Sequence, residues 1–129
     1  MINPKDLMLG NWVYDGDSTL FPMQVVGIGN DYVYLNFEGN EGDLWDVKPE
    51  DILGIPLTKD ILLSCGFVAM DNLIYKPKTS FEILGNNFDG WHLTYNCAEY
   101  IIADEPIRYV HELQNQYYSL TKQTLIINL

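Results

Sequence analysis

Four uncharged hydrogen-bonding side chains share one face of a predicted helix near the end of the chain. They are His111, Gln114, Asn115 and Tyr118, at positions i, i+3, i+4 and i+7. Such a stripe either binds a polar ligand or a partner's backbone, or fixes the helix to the fold through buried hydrogen bonds. The structural interpretation is favoured because buried polar groups normally find partners within the protein.

Carboxylates form a second group that could do chemistry. Seven lie between residues 31 and 51, namely Asp31, Glu38, Glu41, Asp43, Asp46, Glu50 and Asp51, with Lys48 as the one base among them. The pattern lacks the ligand positions and closing glutamate of an EF-hand, which leaves a weak cation site as a minor alternative. The cluster predicts a solvated acidic face or a surface for a basic partner.

The candidates for nucleophilic or metal chemistry are few. His92 and Cys97 are five positions apart near a predicted turn, and His111 is the other histidine. A cysteine nucleophile needs an imidazole beside it, and no hydrolase signature surrounds Cys97. Two cysteines and two histidines at these spacings do not match a structural zinc site. We therefore predict no catalytic residue, no metal and no cofactor.

The two cysteines also bear on the cellular compartment. Cys65 and Cys97 belong to no CxxC pair and indicate reduced, buried thiols of a cytosolic protein, with a single disulfide as the alternative.

Aromatic residues make up 13% of the chain, and three of them stand in the same region as the acids. Tyr32, Tyr34 and Trp45 lie among polar neighbours. Tyr and Trp are enriched where proteins contact each other, so these side chains are candidates for binding another protein. The alternative is packing on a strand face, which β-sheets favour for aromatic residues.

The charge balance excludes several classes of function. The chain has 129 residues and a net charge of -11, with 18 acidic against 7 basic residues. It lacks the basic stripe of a nucleic-acid binder, and an anionic membrane would repel it. The N-terminal residues do not form a signal peptide, and no run approaches the ~18 apolar residues of a membrane span. We expect a cytoplasmic monomer or homodimer.

The first half of the chain is typical of short strands separated by turns. Strands are predicted over 7–14 (interrupted at Gly10 and Asn11), 23–28, 32–37 and 44–47. The third predicted strand alternates polar and apolar residues, as a half-buried strand does. Four or five strands in so short a stretch predict a small bent antiparallel barrel of SH3-like type over residues 1–54.

The second half predicts an α+β lobe over residues 55–129. Thr58 as N-cap and Gly66 at C′ bound a short helix over 59–65, with Phe67 packing on Leu62. An antiparallel meander follows, then a helix over 108–120 and a last strand over 125–127. The apolar stripe of that helix is formed by Val110, Leu113, Tyr117 and Leu120. The predicted fold class is α+β, and we expect the two lobes to form one compact unit.

Three blocks of this sequence resemble a family of small uncharacterised proteins from phages and mobile elements of gut anaerobic bacteria. The blocks are L-x-x-G-N-x-V-Y at 7–14, I-P-L-T at 55–58 and Y-V-H-E-L-Q-N-x-Y-Y-x-L-T at 109–121. One departure is Lys122, which stands where the family pattern has a glycine after the helix. The resemblance implies a phage or mobile-element protein in the cytoplasm of a bacterial host, and it implies no catalytic residue.

These features together predict a non-enzymatic, acidic protein–protein interaction module. One alternative is an inhibitor that imitates nucleic acid, with carboxylates replacing phosphates on one convex face. A small hydrolase that uses His92, Cys97 or His111 is the least favoured alternative.

Overall fold

The structure, a computed structural model, describes residues 2–17, 21–37, 40, 45–70, 73–95 and 100–129. These residues form two antiparallel sheets and two α-helices, which confirms the predicted α+β class. The chain divides into two compact units. The first contains residues 1–55 and 109–123, and the second contains residues 56–108 and 124–129. The C-terminal helix therefore belongs with the N-terminal sheet, whereas the sequence analysis placed it in the second lobe.

The first unit contains a five-stranded antiparallel sheet. Its strands are β1 (Trp12–Asp15), β2 (Pro22–Ile28), β3 (Val33–Asn36), β4 (Trp45–Val47) and β5 (Ile52–Gly54), in the spatial order β4-β3-β2-β1-β5. The first strand begins later than predicted. Pro4–Asp6 forms a 3₁₀ turn. Gly10 adopts a φ of 92°, which is unfavourable for residues that carry a Cβ.

The core of this unit lies on one face of the sheet. In β3, Val33 and Leu35 are buried while Tyr34 and Asn36 are partly exposed, so the predicted alternation is confirmed. The other buried apolar residues of this face include Val13, Met23, Val25, Val47 and Ile52. A closed SH3-like barrel is not confirmed, because the edge strands β4 and β5 do not pair with each other within the described ranges.

The long helix α2 (Val110–Thr121) belongs to the first unit. Its apolar stripe is confirmed at Val110, Leu113 and Tyr117, which are buried. The prediction for Leu120 is wrong, since this side chain in the last turn is 46% exposed.

The second unit contains the other five-stranded sheet and a short helix, α1 (Lys59–Ser64). Its strands are β6 (Val68–Met70), β7 (Leu73–Tyr75), β8 (Phe81–Asn86), β9 (Gly90–Tyr95) and β10 (Tyr100–Ile101), paired in chain order as the predicted meander. Helix α1 ends in the predicted Schellman motif. Gly66 has a φ of 92°, the Phe67 amide donates to the Leu62 carbonyl at 3.2 Å, and both side chains are buried.

The predicted strand over 125–127 is wrong. Leu125 and Ile127 are buried and Ile126 is 73% exposed, which is the alternation of a strand. Residues 124–129 nevertheless form no backbone ladder with either sheet. Side-chain hydrogen bonds hold the tail instead, because Ser64 Oγ donates to the Asn128 carbonyl at 2.8 Å and Asn128 Nδ2 donates to the Ser64 carbonyl at 3.2 Å.

Within the described ranges, no helix combines the length and the apolar character required to cross a bilayer.

Helix α2 ends at a lysine in the left-handed conformation. Lys122 has φ 59° and ψ 20°, and its amide donates to the Tyr118 carbonyl at 2.8 Å. Lys122 therefore performs the backbone role that the resemblance assigned to a glycine. A Cβ in this region clashes with the neighbouring carbonyl, which makes the turn unfavourable for lysine.

Replacement of Lys122 by glycine is expected to stabilise the first unit. The variant K122G should be more stable than K122A by about 1 kcal/mol, since both lose the ammonium but only alanine keeps a Cβ in the left-handed region. Urea unfolding followed by circular dichroism measures this difference. Equal stabilities of the two variants would contradict the assignment of strain to the Cβ.

Candidate functional site

The polar stripe of α2 is used mainly to attach the helix to the sheet of its own unit. Gln114 Oε1 accepts from the Trp12 amide at 2.9 Å, and Gln114 Nε2 donates to the Gly10 carbonyl at 3.0 Å. Asn115 Oδ1 accepts from Asn11 Nδ2 at 2.8 Å, and Asn115 Nδ2 donates to the Asp6 carbonyl at 2.7 Å. The two amides thus bond to three backbone groups and to the Asn11 side chain, as the structural interpretation of the stripe predicted.

His111 differs from the two amides because its Nδ1 is buried without a hydrogen-bond partner within the part of the chain that the structure describes. The side chain is 4% exposed, and its ring stacks on Tyr109 at 5.9 Å between centroids. Burial lowers the pKa of His111 below its usual value, because desolvation penalises the charged form, while Glu112 and Asp6 act in the opposite direction.

His111 also lines a small polar cleft of about 380 Å³. The other residues of the cleft are Lys5, Asp6, Met8, Glu112, Asn115 and Gln116. Asn115 is already engaged with Asn11 and Asp6, whereas Gln116 Oε1, like His111 Nδ1, is buried without a hydrogen-bond partner within the described residues. Tyr118, the last residue of the stripe, is 39% exposed and holds the Lys122 ammonium 5.8 Å from its ring centroid.

A larger cleft lies in the same unit. Its volume is about 680 Å³, and it is lined by Asp15, Asp17, Tyr32, Trp45, Asp46, Val47, Lys48 and Asp51. Among the described residues, four aspartates, two aromatic rings and one lysine therefore line this cavity. We refer to it as the acidic cleft. Its composition suits a cation, since carboxylates attract the charge and aromatic faces stabilise it.

A hydrogen bond between Trp45 and Asp15 fixes the wall of the acidic cleft. Trp45 Nε1 donates to Asp15 Oδ2 at 2.8 Å, and Asp15 Oδ1 accepts from the Asp17 amide at 3.1 Å. Asp15 is 4% exposed, so its carboxylate has a structural role. The carboxylates of Asp17, Asp46 and Asp51 belong to exposed residues and remain accessible to a ligand.

Trp45 also borders a second, apolar cavity of about 210 Å³, formed with Phe21, Met23 and Phe37. We refer to it as the apolar pocket. The Trp45 and Phe37 rings meet edge to face at 6.3 Å, and Phe37 lies 6.4 Å from Phe21. Phe21 is 60% exposed, whereas Met23 is 3% exposed. Met23 therefore forms the buried part of the pocket and Phe21 its exposed rim.

Seven of the acids and aromatic residues predicted to form a binding surface lie among the described residues, and the structure brings four of them together. Tyr32, Trp45, Asp46 and Asp51 line the acidic cleft. Asp31 and Glu50 are exposed but do not line it, and Tyr34 packs over Gly27 of the neighbouring strand. Glu38, Glu41 and Asp43 lie outside the described residues. The sequence analysis missed Asp15, Asp17 and Phe21, for which the turn residues Asp15-Gly16-Asp17 after a strand are the only signal.

The candidates for enzymatic chemistry belong to different parts of the chain. His92 Nδ1 lies 3.3 Å from the Ala103 carbonyl in the second unit, whereas His111 belongs to the first unit. Cys65 carries a free, buried thiol, and Cys97 lies outside the described residues. Within the described ranges, no group of three or more potential ligands is placed to hold a metal ion.

Comparisons with protein-family models, with curated proteins and with solved structures find no match to this chain. The functional argument therefore depends on the two cavities that share Trp45.

Loss of the Gln114 amide is expected to destabilise the first unit. The variant Q114A removes two hydrogen bonds and leaves the Trp12 amide without an acceptor, which should lower the free energy of unfolding by about 2–4 kcal/mol. The control S119A changes an exposed residue of the same helix and should stay within about 0.5 kcal/mol of the native chain. Urea unfolding measures both, and similar stabilities of the two variants would refute the anchoring role.

Acidification is expected to destabilise the protein through His111. Since the folded-state pKa is lowered, the unfolded chain takes up the proton more readily, and stability falls as the pH drops below about 6.5. The charged groups near the ring are Lys5, Asp6 and Glu112. Stability measured from about pH 7.5 to 5.5 should depend less on pH in both H111Q and H111F. If the free energy of unfolding changed with pH by the same amount in the native chain and in both variants, the prediction would be contradicted.

Proposed function

We propose that this protein is a non-enzymatic interaction module that binds a basic segment of another protein in the acidic cleft. The observation that carries the proposal is the placement of three exposed aspartates beside Tyr32 and Trp45 around one cavity. The phage or mobile-element setting and the cytoplasmic location belong to the same proposal. The first is based on the sequence resemblance, and the second also on the cysteine pattern and on the absence of a signal-peptide or membrane-span pattern in the sequence.

The chemistry of the cleft favours a lysine or arginine side chain as its occupant. A unit charge about 4 Å from a carboxylate gains about 1 kcal/mol in water and about 4 kcal/mol at an effective dielectric constant of about 20. Partly exposed rings of Tyr and Trp add about 0.5–1 kcal/mol for a cation over their faces. Tyr32 is 38% exposed and Trp45 is 46% exposed, so both rings are accessible. The net charge of -11 adds long-range attraction for a basic partner.

The concave arrangement of the aspartates favours this proposal over imitation of nucleic acid. An imitation of a phosphate backbone needs carboxylates along a convex face that enters the partner's basic groove. Asp15, Asp17, Asp46 and Asp51 instead surround a cavity of this chain. A cavity of this kind receives a partner's side chain.

The cleft also supports a finer description of the fold. We propose that the first sheet curls into a partly closed barrel of SH3-like type. Strands β1 and β4 are separated by two strands, which corresponds to roughly 14 Å in a flat sheet. Side chains stand roughly perpendicular to a flat sheet, so the 2.8 Å bond between Trp45 and Asp15 favours strong curvature. The irregularity between Val25 and Gly27 in β2 supplies a local bend.

Titration with a basic peptide tests the proposed function. The probe is a glycine–serine peptide in which one central lysine is the only charged residue. Binding is followed by nuclear magnetic resonance shifts of the protein amides. We expect shifts at Tyr32, Trp45 and Asp46, and weaker binding at high salt because ions screen exposed charges. The variant D46N/D51N should weaken binding about tenfold.

The matched control is D31N/E50Q, which changes the net charge equally but alters two exposed acids outside the cleft. It should leave the affinity within about twofold of the native chain, since exposed charges outside a site interact weakly. Equal losses in both double variants would mean that only the overall charge attracts the peptide. That result, or an absence of shifts around the cleft, would overturn the proposal.

A further inference from the structure

The acidic cleft and the apolar pocket share a single side chain. Trp45 lines both cavities, with its indole N–H bonded to Asp15 on one side and its ring against Phe37 on the other. Two contacts of different kinds therefore fix the orientation of the indole. A ligand group in one cavity and a ligand group in the other would therefore both contact Trp45.

The apolar pocket has the size and composition of a receptor for one side chain. Its volume of about 210 Å³ lies below the ~300–1,000 Å³ of small-molecule sites. Among the described residues its lining is apolar, with three aromatic rings and a methionine that adapts to irregular shapes. The exposed rim residue Phe21, 60% accessible, would lose contact with water when the pocket is filled.

We infer that the two cavities form one bipartite site for an extended segment of a partner protein, in which a bulky apolar side chain stands one to three residues from a lysine or arginine. The apolar side chain fills the pocket, and the cation enters the cleft, so that both contact Trp45. This inference rests on the proposed function and adds the sequence requirement of the partner.

Charge complementarity selects this occupant over a second copy of the same chain. A second copy also carries a net charge of -11 and would bring further carboxylates to Asp17, Asp46 and Asp51. A purely apolar ligand would leave the acidic cleft without a counter-charge. A segment with both groups matches the charge of one cavity and the apolar surface of the other.

Four kinds of peptide test the inference on the 129-residue chain. All have the same glycine–serine sequence, and they carry leucine and lysine, lysine alone, leucine alone, or neither. Separate versions of the first place leucine one, two or three residues from lysine. Affinities come from titrations followed by nuclear magnetic resonance. We expect the leucine–lysine peptide with the best spacing to bind about tenfold more tightly than the lysine peptide, because it also buries an apolar side chain.

Two protein variants assign this gain to the apolar pocket. F21S should reduce the affinity of the leucine–lysine peptide to that of the lysine peptide. It should leave the affinity of the lysine peptide unchanged. The matched control is F88S, which removes a phenylalanine that is 92% exposed in the turn between β8 and β9. It should change neither affinity. Both positions are exposed, so both variants are expected to fold.

The outcomes separate the inference from the proposed function. If the lysine peptide fails to bind, the proposed function is wrong. If it binds but leucine adds nothing at any spacing, or if F21S does not remove the gain, the bipartite inference is wrong and the proposed function stands. If sedimentation shows a dimer of the free protein that F21S dissociates, the pocket receives a second copy, which also overturns the inference.

Discussion

The hydrogen bond from Trp45 to Asp15 is the contact on which the candidate site depends. Trp45 lies opposite Leu35 in the strand register, and Asp15 follows the buried Val13 by two residues, so both side chains are on the core face of the sheet. The bond satisfies a carboxylate that burial would otherwise penalise. It also holds a large, partly exposed ring in one orientation. A preorganised ring loses less conformational entropy when it contacts a partner than a mobile ring does.

Local sequence signals predicted the local parts of the fold. Thr58, Gly66 and Phe67 defined the bounds of α1 because capping depends on residues that are close in sequence. The alternation in β3 was equally informative, since one buried face imposes a period of two. The tail over 125–127 has the same alternation yet remains unpaired. Periodicity reports which side chains are buried, whereas a strand also requires a neighbour with free backbone groups.

The candidate site was predictable only in part, because residues from separate parts of the sequence contribute to it. Tyr32, Trp45, Asp46 and Asp51 were selected because acids and aromatic residues are concentrated in that stretch of sequence. Asp15 at the end of β1 and Asp17 and Phe21 between β1 and β2 reach the site through sheet pairing, which no local pattern reveals. For the polar stripe of α2, the shared face was predictable from the sequence but the role of its side chains was not. Its spacing indicated a shared face correctly, but only the distant partners Gly10 and Trp12 explain the role of Gln114.

The last segment of the chain completes both units. Helix α2 joins the first unit through contacts such as that between Asn11 and Asn115, which are 104 residues apart, and the following tail buries Leu125 and Ile127 in the second unit. The ends of the intervening segment are held together, since the Val110 amide donates to the Ile55 carbonyl and the Leu57 amide to the Arg108 carbonyl, each at 2.9 Å. During synthesis, neither unit has its full set of contacts until residues 109–129 have left the ribosome. Both units therefore gain their last contacts only when residues 109–129 are present, and the nascent chain exposes both incomplete cores until then.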